Sequence, residues 1–309
     1  MGDFNGDGIA DIAMGQPRFT TEETFLVGRL YVLFGGAQFK QPVGTSIDIA
    51  SIPDTQRVRI TGSPDKVGGQ LGYKILSVSN FDNDADDTKD ILARSAEGKE
   101  YYVLFGQKNL PANIELTTPM TDHGFVIESS SAFLDGAVGH LLADATNTPD
   151  ILLLRGRTPY IIKGGVGDWP ASIDIANLPE EYGVEVPQTL PIGSNAGLAI
   201  LPDTNQDGLD EPIISSLNTD DDIGRVQKIE NTASWLTEPS TSLTVNSNIQ
   251  NIMNDDEIEN YIRSPIVLGD MNRDGQLEFV LNAHNSDTVN GIDSGDFYVL
   301  KGFAEVYAE

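Results

Sequence analysis

Three segments of the 309-residue chain place oxygen-bearing side chains in one nine-residue pattern. Asp3, Asn5, Asp7 and Asp11 form the first set, Asp203, Asn205, Asp207 and Glu211 the second, and Asp270, Asn272, Asp274 and Glu278 the third. Each set occupies positions 1, 3, 5 and 9, with a glycine (Gly8, Gly208, Gly275) at position 6. Calcium takes about six to eight oxygen ligands in tolerant geometry. Alternate residues of a curled loop converge on one centre, and the glycine permits the turn. That turn lets the position 7 carbonyl (Ile9, Leu209 or Gln276) face the ion, and the ninth residue closes the far side. Three carboxylates crowded into one loop repel one another unless a cation joins them. The pattern therefore points to three calcium sites.

Other readings of these residues are weaker. An EF-hand loop needs a bidentate Glu at its twelfth position, where this chain has Met14, Ile214 and Leu281. Asp, Asn and Gly are also ordinary turn formers, but three matching copies favour the metal. A short apolar run follows each loop, at Ile12–Met14, Pro212–Ile214 and Phe279–Leu281. Such runs predict buried strands. Two further stretches are degenerate copies. In the first, Asn80, Asp82, Asp84 and Asp86 reach their closing acid only at Asp90, without the glycine, a weaker fourth site. The second, Asp144 to Asp150, is two residues too short and reads as a plain turn.

The elements that position these loops are repeats. Tyr31-Val32-Leu33-Phe34-Gly35 recurs as Tyr102–Gly106, Tyr160–Gly164 and Tyr298–Gly302, with Gly224–Ile229 in the gap. Ser46–Ala50 recurs letter for letter as Ser172–Ala176 and loosely as Asn113–Leu116. Five units of roughly 60–70 residues result, each with about four short strands. Their approximate limits are residues 1–62, 63–125, 126–190, 191–248 and 249–309. Such units read as blades of an all-β propeller within a single domain, residues 1–309. If each acidic loop joins the first two strands of a blade, connections such as Gln16–Val27 and 284–296 emerge at the opposite face. The polar stretch Ile249–Tyr261 reads as a surface insertion and Thr237–Thr244 as an inter-blade loop.

These residues resemble FG-GAP repeats, the blades of the integrin α-subunit propeller and of related bacterial proteins. Phe34-Gly35 and Phe105-Gly106 match the Phe-Gly landmark, and Met14-Gly15-Gln16-Pro17 the segment resembling Gly-Ala-Pro. Asp3–Asp11 fits the family's loop Asp-x-[Asp/Asn]-x-Asp-Gly-x-x-Asp in full, and the other two carry Glu last. The resemblance spans nearly the whole chain and is specific in three units. It implies calcium loops that brace a propeller, with partners recognised on the opposite face. Integrin propellers have seven blades and five units are visible here, so either five blades close or the chain is part of a larger ring. A strand that should precede the first loop is also missing from the sequence.

Composition narrows the function. With 47 acidic and 19 basic residues the net charge is −28, which disfavours nucleic acid and anionic membranes as partners. No apolar run is long enough to span a bilayer. No signal peptide is evident, so export is an inference from the calcium loops, which suit millimolar extracellular calcium. The absence of cysteine rules out disulfides and thiolate metal sites. No Asn-x-Ser/Thr sequon occurs, which disfavours a eukaryotic surface glycoprotein.

No catalytic constellation stands out. His123, His140 and His284 show no zinc spacing, and nucleophile-elbow and phosphate-loop motifs are absent. Trp169 and Trp235 could stack on sugar but fit better as packing against a neighbouring blade. The expected function is a non-enzymatic, calcium-binding propeller, extracellular or at a cell surface, presenting loops to a protein partner as adhesion modules do. The alternative is a glycan-binding or accessory module of a secreted polysaccharide-active enzyme. Direct hydrolysis of polysaccharide is the weakest reading.

Overall fold

The apolar runs that follow the acidic loops are all β-strands in the computed structural model of the chain. It describes residues 2–40, 45–77, 80–85, 88–117, 119–120, 122–143, 146, 148–186, 196–217, 224–229, 262–273, 277–283 and 296–301. The stretches 237–244 and 249–261, Trp235, His284 and the connection 284–295 lie outside the described residues. Among the described residues, strands and short 3-10 turns make up the regular structure; the fold is all-β, in several small sheets consistent with propeller blades.

Two compact units emerge. The first comprises Met1–Ala132 with Gly164–Tyr182, the second Phe133–Lys163 with Gly183–Glu309. In the first unit, sheet 1 holds β1 (Ile12–Gln16), β2 (Arg29–Leu33) and β3 (Arg57–Thr61) in antiparallel order. Sheet 2 holds β4 (Lys74–Ser77), β5 (Ile91–Arg94), β6 (Glu100–Leu104) and, beyond β7 (Asn113–Glu115) in the chain, β8 (Gly124–Glu128). In the second unit, sheet 3 contains β9 (Phe133–Gly139), β10 (Asp150–Arg155), β11 (Thr158–Ile162) and, after β12 (Ser172–Asp174), β13 (Gly183–Glu185). Sheet 4 is β14 (Gly197–Leu201), β15 (Glu211–Leu217) and β16 (Gly224–Lys228). Sheet 5 is β17 (Ile262–Gly269), β18 (Glu278–Ala283) and β19 (Asp296–Lys301).

The repeat register read from the sequence corresponds to this order. The Tyr-Val-Leu-Phe-Gly landmarks fall on β2, β6, β11 and β19, and Gly224–Ile229 on β16. Each acidic loop enters the strand beside it at the same point, ahead of β1, β5, β10, β15 and β18. In sheets 2 to 5 the loop joins the first two strands of the sheet, as expected.

Apolar patterning explains where the cores lie. Ile151, Leu152, Leu153 and Leu154 of β10 are all fully buried. Side chains alternate between the two faces of a strand, so such a continuous run marks a strand covered on both sides. In the first unit, Leu30, Val32, Val58 and Ile60 of sheet 1 share a core with Ile91, Tyr102, Leu104 and Val126 of sheet 2. In the second, Ala137, Leu152, Leu154 and Ile161 of sheet 3 pack with Leu198 and Ile214 of sheet 4. Each Leu, Ile or Val so buried stabilises the fold by about 1.5–3 kcal/mol.

The third landmark behaves differently from the other two. Although β7 lies between β6 and β8 in the chain, it leaves sheet 2 and pairs parallel with β3 of sheet 1. In the same way β12, between β11 and β13 in the chain, pairs parallel with β8 of sheet 2. Each of these strands is donated to the sheet that precedes its own.

One glycine fixes the turn between sheets 1 and 2. Gly28 has φ +79, and a Cβ there would lie 2.1 Å from the Leu71 backbone nitrogen, in the segment it bridges. Left-handed backbone strain costs a non-glycine residue about 1–3 kcal/mol, and overpacking against backbone about 1–3 more. Gly28→Ala should therefore destabilise the protein by about 2–6 kcal/mol, read as a lower denaturant midpoint at unchanged slope.

Candidate metal centre

Two of the acidic loops organise themselves through their own first carboxylate. In the loop between β14 and β15, Asp203 accepts from the Asp207 N–H through Oδ1 (3.1 Å) and the Gly208 N–H through Oδ2 (2.9 Å). Asn205 Oδ1 accepts from Asp207 N at 2.8 Å, and Asp207 Oδ1 from Leu209 N at 2.9 Å. Gly208 takes φ +90 to make this curl. The loop preceding β1 repeats the arrangement. Asp3 accepts from Gly6, Asp7 and Gly8, Asn5 from Asp7, and Asp7 from Ile9, over 2.6–3.1 Å. The same residue types at the same spacing thus give the same backbone path twice.

The closing acid distinguishes the two loops. Glu211 is buried, and its Oε2 accepts from the Thr204 N–H and hydroxyl at 2.8 and 2.6 Å. Its Oε1 is buried without a hydrogen-bond partner. Among the described residues, Asp203, Asp207 and Glu211 form the one group of three acids whose ligand oxygens all lie within 4.8 Å of one another. Burial pushes the Glu211 carboxyl above its ordinary pKa, with the Thr204 hydrogen bonds and the nearby Lys228 ammonium opposing.

Asp11 is shorter and held differently. Its Oδ2 accepts from Phe4 N (2.7 Å) and its Oδ1 from Gly35 N (2.8 Å), the glycine of the Phe-Gly landmark. Burial raises its pKa, those two N–H groups lower it, and Asp7 and Asp3 add to the rise.

The bracing role of the closing acid extends to the degenerate loops. Asp90 is fully buried and accepts from Phe81 N, Asp82 N and Gly106 N, again a Phe-Gly glycine. Burial outweighs these bonds and, with the Asp82 charge, pushes its carboxyl up to about 8. Asn80 and Asp82 both accept from the Asp84 N–H, while Asp86 lies outside the described residues. The stretch read as a plain turn ends on Asp150, a buried carboxylate that accepts from Leu141 N and Leu142 N. In the third loop, Glu278 accepts from Met271 N and from the Asn272 side-chain amide. Asp270 opens that loop, and Asp274 and Gln276 lie outside the described residues.

Sequence reasoning missed two features. One is this clamp, in which the last acid ties the loop's second N–H to the landmark glycine in the first two units. Its only signal was the survival of Asp90 and Asp150 where other ligand positions had decayed. The other is Asp210, whose carboxylate accepts from Asp203 N and from His140 N at the end of β9.

Trp169, weighed as a sugar platform, stacks on Phe125 at 4.4 Å between centroids and on Phe81 at 5.1 Å. It packs, as the sequence suggested. His140 follows the end of β9, half-buried, and His123 contacts Gln107.

The loop 203–211 meets the chemical requirements of a hard cation. It offers Asp203, Asn205 and Asp207 from one curl and a buried carboxylate oxygen of Glu211 without a hydrogen-bond partner. A divalent ion there would neutralise the mutual repulsion of the three acids. No curated protein is matched by the chain. A family comparison does give a match, to the FG-GAP repeat, over residues 1–33, which contain the first acidic loop, β1 and β2. Residues 1–33, with the first acidic loop, thus match an FG-GAP repeat, and the several small sheets of the chain are consistent with the blades of a β-propeller.

Proposed function

We propose that the protein is a non-enzymatic, calcium-braced propeller module that works outside the cell or at its surface, presenting loops to a protein or glycan partner. The observation that carries the calcium reading is the convergence of Asp203, Asp207 and Glu211, one carboxylate oxygen of each within 4.8 Å of the others, at a Glu211 whose buried Oε1 has no hydrogen-bond partner. A buried carboxylate oxygen without a partner is costly, and a cation removes that cost. The surface charge, −28 overall, disfavours nucleic acid and anionic membranes. Among the described residues no helix is long and apolar enough to cross a membrane.

The loops at the other end of β1 suit partner presentation. The β1–β2 connection is tied to the β3–β4 connection by Gly68 N donating to Phe25 O and Gln70 N to Leu26 O. This braced pair holds Phe25 and Val67 exposed. A cation at the opposite end would stiffen the strand that joins the two faces, which is how metal binding would support recognition without touching the partner.

Radioactive calcium in equilibrium dialysis tests the metal assignment. Glu211→Gln keeps the shape and the acceptor for Thr204 but removes the charge. It should lower the number of bound ions by one, through a loss of affinity on the order of tenfold or more at that loop. Unchanged stoichiometry and affinity would refute the site.

A further inference from the structure

Within the second unit, the joint between sheets 3 and 4 is fastened by carboxylates. β9 and β14 are edge strands of their sheets, and among the described residues no ladder joins them. Edge strands leave backbone groups without ladder partners, and inward-pointing charges are one way of managing them. Near the start of both strands, Asp135 of β9, 2% exposed, accepts from Leu198 N of β14 at 3.0 Å. Beyond their far ends, Asp210 accepts from His140 N through Oδ2 at 2.8 Å and donates its own N–H to His140 O at 2.7 Å. Gly139 permits that approach. A Cβ there would lie 2.5 Å from Ile200 Cγ2 and 2.8 Å from Asp210 Oδ2.

The two fasteners differ in what their second oxygen holds. Asp135 Oδ1 accepts from Gly136 N in its own strand, at 2.8 Å. Asp210 Oδ1 accepts from Asp203 N at 3.1 Å, and Asp203 is the residue whose carboxylate gathers the Asp207 and Gly208 N–H groups of the acidic loop. The residue at this eighth position is Ala10 in the first loop and Leu277 in the third, so neither has a carboxylate for such a link.

On the cation reading of loop 203–211, we infer that Asp210 is a positioning residue for that site and couples its occupancy to the joint between sheets 3 and 4. A carboxylate is planar and stiff, so its two oxygens move together. An ion that holds Asp203 thereby keeps Asp210 on His140, and a His140 backbone held by sheet 3 keeps Asp203 where the ion needs it. The coupling is reciprocal by linkage: the joint tightens the ion by the factor by which the ion tightens the joint. Glu211 remains the closing ligand, and Asp210 acts through the Asp203 N–H.

Site-resolved hydrogen exchange on the full 309-residue chain, in chelator and in saturating calcium, reads the joint, and calorimetric calcium titration reads affinity. In the wild type, calcium should slow exchange of the His140 amide by on the order of tenfold beyond any change at the Leu198 amide, which belongs to the other fastener. Asp210→Asn should abolish that difference and weaken calcium at this loop on the order of tenfold. Gly139→Ala alters no charge and no ligand, and should weaken calcium by a similar factor. Asp135→Asn, at the end of the joint with no path to the loop, should lower the melting temperature and keep wild-type calcium affinity. Calcium that binds the wild type without slowing His140 would overturn the coupling while leaving the cation site standing. Weakened binding in Asp210→Asn with wild-type binding in Gly139→Ala would reduce Asp210 to a charge and overturn its positioning role. Should Gly139→Ala fail to fold, the His140 response in the wild type and its loss in Asp210→Asn decide the matter. Calcium binding unchanged in Glu211→Gln would instead refute the cation site, and the coupling with it.

Discussion

Calcium added to chelated protein should raise the melting temperature, and Asp7→Ala, Asp207→Ala and Asp274→Ala together should remove most of the rise. The fifth loop position is the one to test, because Asp7 and Asp207 are exposed, so truncating them opens no cavity. Asp274 joins them on its place in the sequence pattern. A ligand that binds only the folded state stabilises it by about 2.7 kcal/mol per site at a hundredfold excess over Kd. For a chain of 309 residues each kcal/mol moves the midpoint by roughly 1.5 °C. One filled site is therefore worth about 4 °C, and the shift should keep growing with calcium concentration. Magnesium should do less at equal concentration, since it requires near-octahedral geometry and dehydrates reluctantly. Differential scanning calorimetry in buffer exchanged against chelator, then titrated, separates the cases. A triple variant with the wild-type calcium response would remove the loops from the account altogether.

The second large effect is expected at Asp90. Its carboxylate accepts three backbone N–H groups, from Phe81, Asp82 and Gly106, and is fully buried. Asp90→Ala leaves those donors without an acceptor. Each unsatisfied buried group costs about 1–3 kcal/mol, partly offset because the variant no longer desolvates a carboxyl group. A net loss of about 3 kcal/mol is expected, seen as a fall in midpoint of roughly 4–5 °C. Asp90→Asn keeps one acceptor oxygen and should lose less.

Its pH dependence has a defined sign. The unfolded carboxyl releases its proton near the ordinary aspartate value of 3.8, whereas the folded one holds it to about 8. Between those values the folded state binds the extra proton, so this group's contribution to stability is greatest at low pH and declines as pH rises through the window. Measured in chelator, the wild type should lose stability from pH 5 to 8 more steeply than Asp90→Asn. Parallel pH profiles, or an Asp90→Ala midpoint within about a degree of wild type, would show that the clamp carries little.

Much of this molecule is written in local patterns, and the limits of that legibility have a physical cause. The acidic loops could be found because a curled turn uses contiguous residues, so ligand types, glycine and following strand share one short window. The landmark strands β2, β6, β11 and β19 were visible for the same reason, as apolar runs ending in glycine. The clamp was hidden, because the partner of Asp11 is Gly35 and that of Asp90 is Gly106, one strand away. A carboxylate that ligates metal and one that accepts backbone N–H groups look alike in sequence.

Ser46–Ala50 and Ser172–Ala176 show the boundary most directly. The sequence by itself determined the local conformation of that pentapeptide, the Asp-capped 3-10 turn, because the capping hydrogen bonds of both copies span two residues. It also determined the acidic loops, the strand order within each repeat and the all-β class. Only the tertiary structure decided that one copy becomes β12 in the sheet of another repeat while the other is in no ladder among the described residues. Strand pairing depends on which edge lies alongside, and an edge is a property of the assembled sheets. Likewise only packing decided that Glu211 reaches toward Asp203 and Asp207 while Asp11 turns to Phe4 and Gly35. The extra methylene of glutamate was in the sequence, but the neighbours that gave it meaning were not.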